Sequence, residues 1–396
     1  MTIAPPVSSS NPIPTEEELV ARAHAMIPML FKNADEVEKT RRVPDSTVAA
    51  YKEAGFPRIL QPKRWGGWEM NPQVFYKVLM ELGRGCPSSA WVMMILGIHQ
   101  WEFGMFSQQA GDDVWGRDDT VLVGSSYPPT GQYERVDGGW RISGRWGTSS
   151  GCDHADWAIL GGLETKDGKP VDRLAMLVPR EAYTIEDDWF VFGLCGTGSK
   201  SLVVKNAFVP DHRVHSLTDN RRSNPAPCYK PQFTLTFSAA VSAVINGIAQ
   251  GAVDIYTDLM KKRINTATNI STSTSPYVKD RLGNAVAKVR SSRMRLLSIM
   301  DCALEHARRG NPVPLDELVP SVLDIARVGR ECEEAVLLLY KATAARGLFL
   351  NTPMQRVLRD VLSGANHITQ NADDTAGILG GYLLGQPLPP MSYISR

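Results

Sequence analysis

Tyr133-Glu134-Arg135-Val136-Asp137-Gly138-Gly139-Trp140-Arg141-Ile142-Ser143 decides the architecture. Two strand-like runs meet at Asp137-Gly138, and an Asp-Gly pair supplies the positive φ angles that a tight primed turn demands, so the stretch reads as a β-hairpin. A second hairpin follows. Trp157 to Leu163 and Leu174 to Val178 flank Lys166-Asp167-Gly168-Lys169-Pro170, and Ser201 to Val209 alternates again before Pro210 stops it. Residues 121–210 therefore form a small antiparallel β domain.

On the N-terminal side, residues 15–120 carry helical signals. Thr15 and Glu18 make a capping box, Pro44 opens a short amphipathic helix from Val43 to Phe56, and Gly55 closes it as a left-handed cap. Further helices fit Pro72 to Leu82 and Ser88 to Phe106, the second so rich in Trp, Met and Ile that it is buried on most sides. On the C-terminal side, residues 211–236 hold Pro225, Pro227, Pro231 and the pair Arg221-Arg222 without periodicity, and read as an irregular connection. Residues 237–396 return to helix. Val241, Ile245, Ile248, Ala252, Ile255 and Leu259 run at helical spacing, as do Val278 to Leu304 and Val322 to Leu339, with Pro320 tolerated only near a first turn. Pro353 opens a fourth helix reaching about Thr369, and four such helices pack as an antiparallel bundle. Helices, then a β domain, then a bundle is neither a βαβ repeat nor a propeller, which sets Rossmann and TIM architectures aside.

Composition narrows the function classes. A chain of 396 residues favours two or three domains, and 43 Lys+Arg against 42 Asp+Glu leave a formal charge of +1. That balance argues against a nucleic-acid binder, whose phosphate contacts need a concentrated basic surface. No apolar run approaches the roughly 18 residues of a membrane helix. Met1 to Pro14 holds four prolines and three serines but no Lys or Arg, so it reads as a disordered tail, not a signal peptide, and the expected compartment is the cytoplasm. Cys86, Cys152, Cys195, Cys228, Cys302 and Cys332 include no close pair, which removes zinc spacings and the CxxC motif and leaves buried free thiols. No metal site is expected.

Three motifs compete for attention. Gly147-Thr148-Ser149-Ser150-Gly151 satisfies GxSxG, but a nucleophile elbow needs a helix after the serine and here a strand pattern resumes within six residues, so a turn of small residues is expected. Gly193-Leu194-Cys195-Gly196-Thr197-Gly198-Ser199-Lys200-Ser201 approaches a P-loop, yet Ser199 separates glycine from lysine and strand-like Leu202-Val203-Val204 follows. No GxGxxG links a strand to a helix. Among seven histidines, His99, His154 and His367 sit near apolar or glycine-rich stretches where an imidazole can be tuned, although a lone histidine is more often structural.

Arg42-Val43-Pro44 through Glu53-Ala54-Gly55-Phe56, then Gln61-Pro62-Lys63-Arg64-Trp65-Gly66-Gly67, and the run 193–199 followed by Phe208-Val209-Pro210 resemble signatures of the acyl-CoA dehydrogenase superfamily. The resemblance implies an α+β fold: an N-terminal α domain, a middle antiparallel β domain and a C-terminal four-helix bundle, with flavin at their junction. Within it, Cys86-Pro87-Ser88-Ser89-Ala90-Trp91, Gly97-Ile98-His99-Gln100-Trp101, Ser125-Ser126-Tyr127 and Ser149-Ser150-Gly151-Cys152-Asp153-His154-Ala155 resemble the oxygenase component of two-component flavin-dependent aromatic hydroxylases, the type acting on 4-hydroxyphenylacetate or a secosteroid phenol. Where many dehydrogenases carry a glutamate in a Tyr-Glu-Gly-Thr context, this chain has Gly364-Ala365-Asn366-His367-Ile368-Thr369.

The resemblance implies that Trp91, Thr148, Ser149, Ser150 and Arg263 contact the flavin ring or its phosphate-bearing tail, while His99, Ser125 and His367 face the reacting centre. FADH2 or FMNH2 would come from a separate NAD(P)H:flavin reductase and react with O2 to a C4a-hydroperoxyflavin, Ser150 standing near N5 and His367 taking the proton of a phenolic or indole-like substrate. A homotetramer is implied as well. Two other readings stay open at this point: an acyl-CoA or nitroalkane-type flavin dehydrogenase or oxidase, and an idle helical scaffold. On spacing alone Ser150 satisfies a turn amide, His99 is a core histidine, and Arg263 beside Lys261 and Lys262 belongs to a solvated basic face.

Overall fold

The computed structural model describes residues 12–219, 221–266 and 268–389. The expected tail falls mostly outside these, at residues 1–11. Five helices come first: α1 (Glu16–Thr40), α2 (Asp45–Ala54), α3 (Pro72–Gly85), α4 (Pro87–Glu102) and α5 (Gln108–Trp115). The capping box is present, with the Glu18 amide donating to Thr15 Oγ1 and the Thr15 amide to the Glu18 carboxylate, and Gly55 caps α2 at φ 81°. Every residue of α4 is buried, as its composition demands, but the helix ends at Glu102 and not at Phe106.

Eight strands follow: β1 (Val123–Ser126), β2 (Gln132–Val136), β3 (Gly139–Ser149), β4 (Trp157–Lys166), β5 (Lys169–Pro179), β6 (Tyr183–Glu186), β7 (Lys200–Pro210) and β8 (Val214–Ser216). They form two four-stranded sheets, β1-β4-β5-β8 and β2-β3-β7-β6. Both expected hairpins occur, at Val136↔Gly139 and Lys166↔Lys169; Asp167 and Gly168 both take positive φ, as a primed turn demands, but at Asp137-Gly138 only Gly138 does, so the first turn is not the expected two-residue primed kind. One pairing corrects the expectation of a wholly antiparallel domain: β1 runs parallel to β4, because it enters from α5 and pairs across the intervening β2–β3 hairpin. Apolar side chains of both sheets, among them Trp140, Ile142, Trp146, Leu160, Met176 and Leu202, make a core of their own.

The C-terminal helices are α6 (Phe233–Lys262), α7 (Pro276–Arg308), α8 (Leu315–Lys341), α9 (Pro353–Ala365) and α10 (Ala372–Leu383). The expected connection is thus shorter and more ordered: it contains β8, and α6 begins at Phe233. Arg222 anchors it by donating to the Tyr229 and Pro231 carbonyls. Pro320 lies in the second turn of α8, inside the helix. By composition α6 is apolar enough to cross a membrane, but 83% of its most apolar window is buried within the fold as the central bundle helix. The fourth expected helix stops at Ala365, which leaves Asn366 and His367 in a turn with a 3₁₀ segment, Ile368–Gln370, before α10.

Candidate active site

The site forms where α4, the end of β3, the 193–199 loop and the end of α9 converge. Trp91 in α4 is 6% exposed and donates its indole N–H to Ser150 Oγ at 3.2 Å. Ser150 Oγ lies 2.7 Å from Ser199 Oγ, Ser199 Oγ lies 2.7 Å from Thr197 Oγ1, and Thr197 donates to the Leu194 carbonyl at 2.8 Å. A carbonyl only accepts, so the order of protons is forced: Ser199 donates to Thr197 and Ser150 to Ser199. The proton of Ser150 is committed, and its remaining lone pair is an acceptor.

Local backbone geometry aims these groups. β3 pairs with β7 up to Trp146 and again at Ser149, with residues 147 and 148 looped out as a bulge. Thr148 takes φ 60°, a strained choice for a β-branched residue, and its side chain is exposed. Ser149 is then turned fully inward, its hydroxyl buried without a hydrogen-bond partner among the described residues. No helix follows in elbow fashion; a 3₁₀ turn, Cys152–His154, leads back into β4. The glycines of the P-loop-like stretch serve close packing: a Cβ on Gly196 would lie 2.2 Å from Val37 Cγ1, and one on Gly193 2.2 Å from the Arg359 carbonyl oxygen. Lys200 is spent on Asp153 at 2.9 Å, and His154 Nδ1 lies 3.2 Å from Asp45.

His367 packs edge-on against Trp91, ring centroids 5.6 Å apart, and 6.4 Å from Phe237. Its Nδ1 accepts the Thr369 amide at 3.3 Å and lies 2.9 Å from the Thr369 hydroxyl, which itself receives the Gln370 side-chain N–H. Burial of the imidazole pulls its pKa down to about 4, so it is neutral at neutral pH. With Nδ1 an acceptor, the proton sits on Nε2. His367 is therefore arranged to donate a hydrogen bond, where the sequence suggested a proton acceptor.

A second imidazole, His99, is fully buried in α4. Its Nδ1 meets Glu102 at 3.0 Å and the Tyr127 hydroxyl at 3.2 Å, while Nε2 is buried and unpartnered among the described residues. Ser125 is 5% exposed on β1; strand alternation puts it on the face from which Tyr127 reaches His99, while Ser126 turns the other way to the Gly147 carbonyl. Glu102, Tyr127, His215, Ser199 and Thr197 were missed by the sequence reading. One signal was available for Glu102, a lone carboxylate in an otherwise apolar helix.

Arg263 is not brought to this cluster. Gly364 fixes Trp91 and Ile245 at one level, since a Cβ there would meet both within 3.4 Å, and Arg263 lies eighteen residues further along α6 and past its end, about 27 Å of helix. There it donates to the Thr343 carbonyl, beside a separate cavity of about 510 Å³ bordered by Lys262, Asp254 and Met354. Cys302, alone among the six free thiols, is exposed. With His306 and Glu317 it forms a surface group of metal-type donors that spacing did not show; the thiol donates to Glu317 at 3.1 Å and His306 pairs with the same oxygen, so the three satisfy one another.

The Trp91 indole, the acceptor hydroxyl of Ser150 and the neighbouring Ser149 Oγ, buried without a partner among the described residues, are a set that fits a polar, planar cofactor bound against a second ring. Fold and site together define a flavoenzyme of the acyl-CoA dehydrogenase type, and models of that family's N-terminal and C-terminal domains match residues 14–110 and 239–372. The chain is 37% identical over 377 residues, 93% of its length and 98% of the relative's, to the flavin-dependent monooxygenase oxygenase subunit HsaA of Rhodococcus jostii (strain RHA1). It is 29% identical to the oxygenase component of p-hydroxyphenylacetate 3-hydroxylase of Acinetobacter baumannii, covering 94% and 90% of the two chains. The crystal structure of 3-HSA hydroxylase from Rhodococcus sp. RHA1 superposes with a TM-score of 0.91 at 36% identity, over 95% of this chain and 98% of that one. The chain belongs to the flavin-dependent monooxygenases, as an oxygenase component.

Proposed function

We propose that this oxygenase component hydroxylates a phenolic or indole-like ring, with reduced flavin delivered by a separate NAD(P)H:flavin reductase. The observation that carries the reading is that an imidazole, His367, packs against Trp91 where the dehydrogenase pattern has a carboxylate, with a second, His99, joined to it through Phe237. His99 offers a bare Nε2 and His367 an Nε2–H. The pair suits a substrate hydroxyl: His99 accepts its proton, and His367 donates to an oxygen nearby. Reduced flavin, when bound, supplies the electrons that activate dioxygen. Trp91, Ser149 and Ser150 hold its ring, Ser150 as acceptor, and the all-buried α4 keeps water from the reacting atoms. Ser125 adds a hydroxyl on the His99 side.

An Arg263 contact to a flavin bound at Trp91 would come from another copy of the chain, an arrangement that fits a homotetramer. Tyr277, Met294 and Phe349 of the bundle, 77%, 68% and 63% exposed, are the kind of apolar surface an oligomer covers. Charge balance and six free cysteines support the cytoplasm as the compartment. The test is anaerobic titration with FADH2 and with FMNH2, then mixing with labelled dioxygen and a panel of aromatics. One labelled oxygen atom in a hydroxylated product is the expected result. Turnover of an acyl thioester by tightly bound oxidised flavin, with no reductase, overturns the proposal in favour of a dehydrogenase.

A further inference from the structure

Three donors converge on one carboxylate in the interior. Glu102, the last residue of α4, is 1% exposed. Its Oε2 lies 3.0 Å from His99 Nδ1 and accepts the Tyr127 hydroxyl proton, while its Oε1 lies 2.9 Å from His215 Nε2. Among the described residues, the titratable groups meeting it are these three: His99 from its own helix, Tyr127 just after β1, and His215 of β8. The partners place the protons. His215 Nδ1 lies 2.9 Å from the Ser216 carbonyl oxygen, which only accepts. With acceptors at both nitrogens, His215 turns Nε2 toward Glu102 Oε1 and adds a hydrogen bond of the kind a buried carboxylate needs. Burial pushes the Glu102 carboxyl upward, but the hydrogen bonds from His215 and His99 outweigh it and leave the group at about 2.

His99 differs from His215. Its Nδ1 faces two acceptors, Glu102 Oε2 and a Tyr127 oxygen whose own proton is already given to Glu102. The proton is thereby fixed on Nδ1, and Nε2 is left with a bare lone pair. A buried acceptor without a partner is destabilising, and a ligand hydroxyl removes that cost. The His99 ring packs on Phe237 at 5.9 Å, and Phe237 in turn meets His367, so the two imidazoles belong to one aromatic cluster.

We infer that Glu102 is a positioning residue: held at its other oxygen by His215, it keeps the His99 proton on Nδ1 and presents Nε2 to the hydroxyl of a phenolic substrate. The inference rests on the reading of the chain as an aromatic hydroxylase. The substrate O–H bond breaks, its proton passes to Nε2, the electron pair stays on the phenolate oxygen, and Glu102 stabilises the His99 imidazolium until the proton returns to the ring oxygen.

The test reads the tautomer directly, by NMR of ¹⁵N-histidine-labelled full-length protein without flavin or substrate, His99 being assigned by its loss in His99→Asn. Wild type should show Nδ1 protonated and Nε2 bare; a proton on Nε2 overturns the inference without any further variant. In Glu102→Gln, whose amide donates to Nδ1, the proton should move to Nε2. Bound 4-nitrophenol, followed by its absorbance across pH, should then ionise at least about one pH unit higher than in wild type, a tenfold change, with partial recovery in Glu102→Asp. An unchanged nitrophenol titration in Glu102→Gln overturns it too. Because the tautomer is read without flavin, the two readings fail separately. Hydroxylation with an Nε2–H tautomer sinks the role of Glu102 alone, whereas an Nδ1–H tautomer without hydroxylation of any aromatic sinks the assigned reaction.

Discussion

Ser150 has one proton, and the hydroxyls behind it have already claimed it. The sequence singled out Ser150 but was blind to Ser199 and Thr197, because a hydroxyl chain assembled across 49 residues of sequence leaves no periodic trace. Its polarity makes a prediction about redox state. A reduced flavin carries a ring N5–H and an oxidised one does not, so an acceptor at Ser150 favours the reduced form. Ser199→Ala frees the Ser150 proton and should weaken binding of reduced flavin about fivefold, the equivalent of about 1 kcal/mol, with little change for oxidised flavin. Paired anaerobic and aerobic titrations measure this; equal weakening of both forms would count against the assigned polarity. His367 makes a second prediction, in pH. Its folded pKa of about 4 lies below the ordinary value of 6.5, so the fold favours the neutral ring. That contribution is complete above pH 6.5 and is lost as pH falls toward 4. Thermal denaturation should show Tm falling across this window, and His367→Asn should flatten the fall. Part of the slope should survive, since His154 is also lowered, by burial first and by Arg42 next.

At the scale of elements, the turn chemistry was legible and the seats were not. Gly138, Asp167-Gly168, Gly55 and the Thr15–Glu18 box act locally, through φ angles and caps that a neighbouring residue cannot override. Where β3 bulges and where the 193–199 loop docks depend on partners far along the chain, so glycines that looked like a phosphate cradle turned out to be points of close approach. The Leu194 amide donates to Asp360 at 2.6 Å and Arg359 donates to the Phe192 carbonyl at 2.8 Å, both from α9, the helix whose end carries His367. This loop therefore ties the Ser150 hydroxyl chain to the His367 turn. Gly193→Ala would press a methyl group into the Arg359 carbonyl and should lower stability by about 1–3 kcal/mol, read as a drop in Tm. The bulge gives the opposite sign. Thr148→Gly removes a side chain from a left-handed position and should leave Tm unchanged or raise it, the gain in stability being at most about 1 kcal/mol. A clear loss of stability would mean that the Thr148 side chain supports the bulge.

For the whole molecule, the order of helices, sheets and bundle could be read because each block repeats its own period over many residues. The parallel placement of β1 could not, since a four-residue strand carries no signal of its partner. The distance between Arg263 and Trp91 sits between these cases. Both residues were picked out, yet only a continuous α6 shows that some 27 Å of helix separates them in one chain. If both serve flavin, each site must borrow Arg263 from a neighbouring copy. Arg263→Ala and Trp91→Ala homo-oligomers should then each bind reduced flavin poorly, for different reasons. In a mixed oligomer from co-expressed variants, a subunit with intact Trp91 faces a neighbour with intact Arg263, and those sites are whole. Flavin binding and hydroxylation should recover in the mixture, to a fraction set by random pairing, while sedimentation should report a mass near four chains of 43.6 kDa. No recovery in a demonstrated mixed oligomer would place Arg263 outside the flavin site and return it to the exposed basic face at the end of α6.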